Sequence, residues 1–207
     1  MTARLLAVAV VLLAFISNPC YSKDREYQVT RVIDGDTIIL ETGETVRYLG
    51  IDTPEMGRKG TAPEFYAREA TRYNKNLVLL KKVRLEFDVE KKDHYGRLLA
   101  YVYVKNLFVN SELVRLGYAR AMIKPPNLAH KDLLIKYQRE AMGKEIGLWQ
   151  AEKKDTEPYY VGNKKTYIFH KPSCPYGNKI PEKGKIVFRS RVDPIKIGYS
   201  PCKRCRP

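Results

Sequence analysis

With 38 Lys and Arg against 23 Asp and Glu in 207 residues, the chain carries a formal net charge of +15, a bias towards polyanions such as nucleic acid, anionic lipid or cell-wall polymer. That length holds one good domain plus a small one. Of the four cysteines, Cys20 lies in an amino-terminal apolar region and Cys174, Cys202 and Cys205 near the carboxy terminus, so loss of a leader leaves an odd number and excludes a closed disulfide framework.

Residues 1–22 read as a signal peptide: Arg4 is followed by an apolar run from Leu5 to Ile16, too short to span a bilayer with ease. Cys20 and Ser22 fit the small positions of a cleavage site, making Lys23 the mature start. The alternative is an uncleaved anchor. Export implies a secreted or periplasmic protein with no stable membrane association after cleavage. "REYQVTRVI" and "DTIILET" then predict strands split by the turn Asp34-Gly35, and "GETVRYLGI" a third strand after Thr42-Gly43. "APEFYAREATRYNKNLVL" predicts a helix with Tyr66, Ala70, Tyr73 and Leu77 on one stripe. "KVRLEFDVE" and "RLLAYVYV" alternate again, joined by the turn "KKDHYG". "NSELVRLG" predicts a short helix capped by Asn110 or Ser111 and stopped at Gly117. A longer helix with Leu133, Tyr137 and Ala141 on one side follows. Residues 151–166 read as a linker, which sets the domains at 23–150 and 167–207. Five strands with inserted helices predict a β-rich α+β domain, and the usual five-stranded solution is an OB-fold barrel with three helices. Pattern alone leaves other small β-rich α+β domains open.

The run "VIDGDTIILETGETVRYLGIDTPE" sets Asp34, Asp36, Asp52 and Glu55 around a single arginine, Arg47. Asp-Gly turns usually stand on solvated surfaces, a strand arginine often makes a surface ion pair, and a carboxylate after proline can start a helix. The other reading is a hard-oxygen site for a divalent cation with a group poised to activate water.

"VIDGDTIIL", "VRYLGIDTPE", "DHYGRLLAYVYV", "LVRLGYA" and "GLW", in that order from about Tyr27 to Trp149, resemble the staphylococcal nuclease (thermonuclease) family. The resemblance implies an OB-fold barrel and a calcium-dependent phosphodiesterase, an endonuclease acting on DNA and RNA. It implies Ca2+ on Asp36, Asp52 and the Thr53 carbonyl, Glu55 as general base, and Arg47 and Arg97 on the phosphoryl oxygens. Asp34 and Thr37 would support the turn, and Tyr95 would contact phosphate. "LGYARAMIKPPN" departs from the family's best-known member, being shorter and lacking the tyrosine pair of its nucleotide pocket; Ala121, Met122 and Ile123 occupy that stretch. His94 stands where that enzyme has lysine.

At the carboxy terminus the spacing is H-x3-C at His170 and Cys174, then C-x2-C at Cys202 and Cys205. Three thiolates and an imidazole suit a structural, tetrahedral Zn2+, and a segment of about 40 residues needs such a staple. A disulfide, Cys202–Cys205 or Cys174–Cys202, with one free thiol is the alternative. The segment resembles the zinc-binding domain of the Ada methyl acceptor, with His170 where cysteine stands there. Arg189, Arg191, Lys203, Arg204 and Arg206 give it a basic character suited to gripping DNA. As a separate module it should be removable from residue 160 onward without loss of the barrel's chemistry. The expected function is an exported calcium-dependent nuclease; the alternative is a catalytically silent OB-fold protein binding nucleic acid or polyanions in the cell envelope.

Overall fold

The computed structural model describes residues 25–57, 60–151 and 155–207, so the signal peptide expected at 1–22 lies outside the described residues. β1 (Glu26–Val32), β2 (Thr37–Leu40) and β3 (Thr45–Tyr48) form an antiparallel meander. Alternation turns Val29, Ile38, Leu40, Val46 and Tyr48 inwards, all fully or almost fully buried. The β1–β2 register slips between Val29 and Arg31, a bulge that bends β1 just before the Asp34-Gly35 turn. The Thr30 hydroxyl covers it by donating to the Ile39 and Leu40 carbonyls at 3.2 and 3.3 Å.

β4 (Ile51–Asp52) leads to α1 (Ala67–Val78), then β5 (Lys82–Glu86), β6 (Leu98–Val104) and β7 (Leu107–Phe108). α2 (Val109–Arg115), β8 (Arg120–Ala121) and α3 (Lys131–Gly143) follow. The sheet order is β3-β2-β1-β5-β6-β7, and β3 closes on β6 in parallel, Arg47 facing Leu99. β1, β2, β3, β5 and β6 are thus the five-stranded closed barrel that the sequence predicts, with three helices packed on it. Val78, Val109, Leu113, Val114 and Leu134 from those helices share one core with the strands. Burial of each large apolar side chain contributes about 1.5–3 kcal/mol.

The helix faces differ in detail from the apolar stripes. α1 buries Ala67, Ala70, Asn74 and Val78, while Tyr73 and Leu77 pack along its edge. α2 begins at Val109, and Asn110 caps nothing. Buried instead, Asn110 accepts the Val102 N–H at 2.9 Å and donates to the Leu49 carbonyl at 2.8 Å. α3 buries Leu134, Ile135, Gln138 and Ala141, with Leu133 and Tyr137 half-buried beside them.

The carboxy-terminal region has its own sheet. β9 (Tyr160–Asn163), within the stretch expected as linker, lies between β10 (Ile168–His170) and β11 (Lys185–Phe188), and β12 (Ser200–Pro201) runs parallel to β10. Two short helices, α4 (Pro175–Asn178) and α5 (Val192–Lys196), complete it. Its core residues Tyr160, Phe169, Phe188, Ile195 and Tyr199 form one cluster with Ala141, Leu148 and Trp149 from the end of the barrel domain. The apolar tail of one unit is therefore the core of the other. Gly198, at φ +86°, lies so close that a Cβ would stand 2.7 Å from Ile123. Among the described residues, no helix is long and apolar enough to cross a membrane.

Candidate active site and metal centre

Three short segments deliver the carboxylates. In the β1–β2 turn, Ile33 donates its N–H to the Thr37 carbonyl at 2.9 Å, and Asp34 Oδ1 accepts the Asp36 N–H at 3.0 Å in an Asx turn. The turn packs directly on Thr53: a Cβ at Gly35 would stand 2.7 Å from the Thr53 side chain. Fully buried Asn74 braces it from α1, donating to the Asp34 carbonyl and accepting the Tyr48 hydroxyl, both at 3.0 Å.

Asp36 is buried at the end of this turn. Its Oδ2 accepts the Thr53 N–H at 2.8 Å and the Thr53 hydroxyl at 3.0 Å, and its Oδ1 accepts the Thr37 hydroxyl at 3.2 Å. The pairing of Thr37 with Arg47 sets the guanidinium alongside. Arg47 Nη2 donates to Asp52 Oδ1 at 2.9 Å, and Nη1 lies 2.5 Å from Asp36 Oδ2 as an ion pair. Beyond this ion pair Nη1 has no hydrogen-bond partner among the described residues.

Burial holds the Asp36 carboxyl above the usual range; Arg47 opposes this and neighbouring Asp34 adds to it. Asp52 is raised in the same way, by burial first and by Asp36, against Arg47, Lys203 and Arg120. For Arg47, burial alone would favour loss of the proton, but Asp36, Asp52, Asp34 and Glu55 outweigh it and hold the guanidinium above its ordinary value. Such crowding leaves a surplus of negative charge that a divalent cation would neutralise. Two carboxylates and the Thr53 carbonyl suit a hard cation that keeps several waters.

Glu55 stands at the mouth of the site, largely exposed. Its N–H donates to Glu64 Oε2 at 3.0 Å and its carbonyl accepts the Glu64 N–H at 2.9 Å, which fixes the backbone of the loop after Asp52. Arg97 precedes β6, two residues from the Leu99 that pairs with Arg47. Its guanidinium is held by Asp93 rather than by the acidic cluster: Nε and Nη2 lie 2.8 and 2.7 Å from Asp93 Oδ2. Asp93 Oδ1 accepts the N–H groups of Tyr95 and Arg97, both at 3.0 Å. Tyr95 is well exposed, with Arg97 5.5 Å from its ring centre. The structure thus gathers Asp34, Asp36, Thr37, Arg47, Asp52 and Thr53 tightly, and keeps Arg97 and Tyr95 on an adjoining turn.

The second constellation is in the carboxy-terminal sheet. One ligand atom from each of His170, Cys174, Cys202 and Cys205 lies within 4.8 Å of the others. The three thiols are unbridged, so the disulfide alternative is not the arrangement adopted. Cys174 Sγ is 3.4 Å from His170 Nδ1, and Lys171 donates its N–H to Cys205 Sγ at 3.4 Å. Gly177 is packed so tightly that a Cβ would stand 3.1 Å from that of His170. Burial lowers the His170 imidazole, keeping it neutral as a ligand requires. Burial opposes ionisation of Cys174, yet the N–H groups of Gly177 and Tyr176 at the start of α4 bring it below its ordinary value. Burial and the neighbouring thiols push Cys205 up to about 12, the expected state of clustered sulfurs that only a shared cation would let ionise together. Three sulfurs and a neutral imidazole at this spacing suit Zn2+.

Three site residues have no motif to announce them. Arg120 pairs with Asp52 across β4–β8, lies 5.6 Å from the Trp149 ring centre, and has a buried Nε without a hydrogen bond. Glu64 fixes the Glu55 loop. Lys203, from the far end of the chain, places Nζ 3.8 Å from Glu55 Oε1. The sequence marks it only as one of the basic residues of the carboxy-terminal segment, not as a neighbour of Glu55.

The profile of the family described as staphylococcal nuclease homologue matches residues 45–151, and that of the metal-binding domain of Ada matches residues 148–207. The chain is 37% identical over 158 residues to the thermonuclease of Staphylococcus intermedius, spanning 70% of this chain and 94% of that one. It is 37% identical over 131 residues to the thermonuclease of Staphylococcus hyicus, spanning 62% of this chain and 78% of the relative. The SPbeta prophage-derived endonuclease YokF of Bacillus subtilis is 42% identical over 124 residues, 58% of this chain and 42% of the relative. With its barrel, its acidic turn on Arg47 and its appended Cys/His cluster, the chain belongs to the staphylococcal nuclease family and ends in an Ada-type metal-binding domain.

Proposed function

We propose that the protein is an exported, calcium-dependent nuclease, an endonuclease that hydrolyses phosphodiester bonds of DNA and RNA. The observation that carries this reading is the convergence of Asp36 and Asp52 on one arginine, Arg47, beside the exposed carboxylate of Glu55. A silent binding barrel has no need of two buried carboxylates set against one arginine, since burying such groups is costly. Relatives named as thermonucleases and endonucleases support the same chemistry.

Asp36, Asp52 and the Thr53 carbonyl would hold the calcium, with Asp34 and Thr37 fixing the turn that carries Asp36. When bound, the ion supplies countercharge to the phosphate and makes the attacking water more acidic. Arg47 Nη1 donates to a non-bridging phosphoryl oxygen, and Arg97, oriented by Asp93, reaches another from the adjoining turn. Both bonds strengthen as charge grows on those oxygens in the transition state. Glu55 takes the proton of the water as its oxygen bonds to phosphorus and the bond to the leaving oxygen breaks. Tyr95, exposed beside Arg97, contacts a neighbouring phosphate. His170, Cys174, Cys202 and Cys205 would hold a structural Zn2+; four protein ligands leave no position for a reacting water. The segment 1–22 serves as the export signal, placing the mature chain in the periplasm or outside the cell.

The test is incubation of the mature protein with DNA or RNA in the presence of Ca2+ or of a calcium chelator. Shortened products with Ca2+ alone are expected, and Arg97→Ala should reduce them sharply. Equal cleavage with chelator, or full activity of Arg97→Ala in protein free of host nucleases, would refute the assignment.

A further inference from the structure

Lys203 belongs to the turn Cys202-Lys203-Arg204-Cys205 of the Cys/His cluster, yet its ammonium stands at the barrel's site, 3.8 Å from Glu55 Oε1. That turn is firmly held. Cys202 donates its N–H to the Phe169 carbonyl and Arg206 donates its own to the Cys202 carbonyl, both at 2.9 Å. The module under it is docked on α3 by the shared core, by Gln138 Nε2 donating to the Ile195 carbonyl at 2.6 Å, and by Arg139 Nε donating to the Lys196 carbonyl at 2.7 Å. Lys203 is thus aimed at Glu55 by packing, not delivered by a free tether. The side chain itself is unconfined: Lys203 is 80% exposed and Glu55 58%. An exposed pair of this kind contributes only about 0–1 kcal/mol, so the ammonium can exchange Glu55 for a better anion.

Charge favours that exchange. Among the described residues, Asp34, Asp36, Asp52 and Glu55 act on Arg47, and Asp52 and Glu64 act on Arg120. The carboxylates around Arg47 outnumber it where an anionic substrate must arrive. A divalent cation would offset part of that negative charge, and the Lys203 ammonium adds to the offset. Asp52 already feels the Lys203 charge.

We propose that Lys203 is a substrate-binding residue of the barrel's site. On this view, which rests on the nuclease reading above, the carboxy-terminal module completes the groove for the polynucleotide. Its ammonium leaves Glu55 and takes a phosphate next to the one under attack, so that substrate binding itself releases the general base. The Cys/His cluster then has a purpose in substrate recognition: it holds rigid the turn that carries Lys203.

The experiment compares wild type, Lys203→Ala and Lys203→Arg, matched in zinc content and in Trp149 emission so that the module is intact in each. Cleavage kinetics are measured in Ca2+, and binding of a labelled single-stranded oligonucleotide is followed by anisotropy in calcium-free buffer as salt is raised. Lys203→Ala should raise KM roughly two- to fivefold with kcat within about twofold, and the slope of log affinity against log salt should become shallower by about 0.7. Lys203→Arg should keep both near wild type. An unchanged KM and salt slope would overturn the proposal. So would a rise in kcat, which would mark Lys203 as an inhibitory cap on Glu55, or a fall in kcat at constant KM. Absence of calcium-dependent cleavage in wild type would instead strike the nuclease reading, while the salt slope still decides whether Lys203 meets phosphate.

Discussion

The barrel site and the carboxy-terminal cluster both gather cation ligands, and they do so on opposite foundations. In the barrel, Val29, Ile38, Val46, Ile51, Val83, Val102, Leu113 and Leu134 form a core that is complete without any ion, and the oxygens of Asp36, Asp52 and Thr53 are set at its edge. In the carboxy-terminal region, His170, Cys174 and Cys202 are themselves buried, and much of the apolar packing is borrowed from Ala141, Leu148 and Trp149. A cation lost from the first site should cost chemistry and leave the fold; a cation lost from the second should cost fold. The borrowed core also changes one expectation. Removal from residue 160 onward would uncover Trp149 and Leu148, so the module is not a neutral appendage to the barrel.

The most severe way to test the barrel half of this contrast is Glu55→Gln. The side chain is exposed and its backbone contacts with Glu64 do not involve its carboxylate, so the fold has little at stake. Loss of a general base lowers turnover by about 10²–10⁴-fold. We expect that fall in kcat with an unshifted melting temperature. Wild-type turnover in the variant would remove Glu55 from the reaction, and a large drop in melting temperature would break the claim that this site is loaded on a self-sufficient scaffold.

The other half is tested by withdrawing zinc. Trp149 is the single tryptophan of the chain and lies in the core shared with the module, so its emission reports docking directly. A strong zinc chelator, or Cys174→Ser, should shift that emission to the red and open the carboxy-terminal sheet, because folding and zinc binding are coupled in so small a unit. Calcium withdrawal should leave the emission unmoved. Metal analysis of protein purified without chelator should find about one zinc per chain. An emission spectrum indifferent to zinc removal would mean that the borrowed core holds the module without its staple.

The parts of the molecule that could be read in the sequence are those where side-chain type and spacing carry the physics. β-Branched residues in "DTIILET" and alternation in "RLLAYVYV" expose the barrel strands, and H-x3-C with C-x2-C exposes the cluster. What escapes are buried polar residues that look like surface ones. Asn74, Asn110 and Gln138 are fully buried, and each satisfies backbone groups of distant elements. Gln138 accepts the Ala121 N–H at 2.8 Å while donating to Ile195, tying β8 to the module. An apolar stripe passes over such residues, which is why the faces of α1 and α3 come out displaced by about one position. The strand Tyr160–Asn163 is hidden for a related reason: flanking lysines make its surroundings resemble a linker, while its burial depends on Phe188 and Tyr199 crossing Gly162. The approach of Lys203 to Glu55 depends on docking between two units, and no local pattern encodes that.

The smallest expected effect sharpens how the barrel site is finished at its rim. Burial alone would raise the Asp93 carboxyl, but the Arg97 guanidinium and the N–H groups of Arg97 and Tyr95 outweigh it and hold it below the usual carboxylate range. A carboxyl depressed in the folded state contributes stability that is complete above its unfolded pKa, about 4, and is lost as pH falls through the lower folded value. Asp93→Asn keeps an oxygen for the two backbone N–H groups but turns an amide towards Arg97 in place of a charge. It should cost about 1 kcal/mol of stability at neutral pH, read by urea unfolding, with the difference from wild type constant above the unfolded pKa and shrinking to nothing as pH falls through the lower folded value. Turnover should fall modestly as Arg97 loses its orientation. A stability difference that persists into strong acid would mean the turn is held by its backbone hydrogen bonds alone, and that Arg97 owes its position to something other than the charge of Asp93.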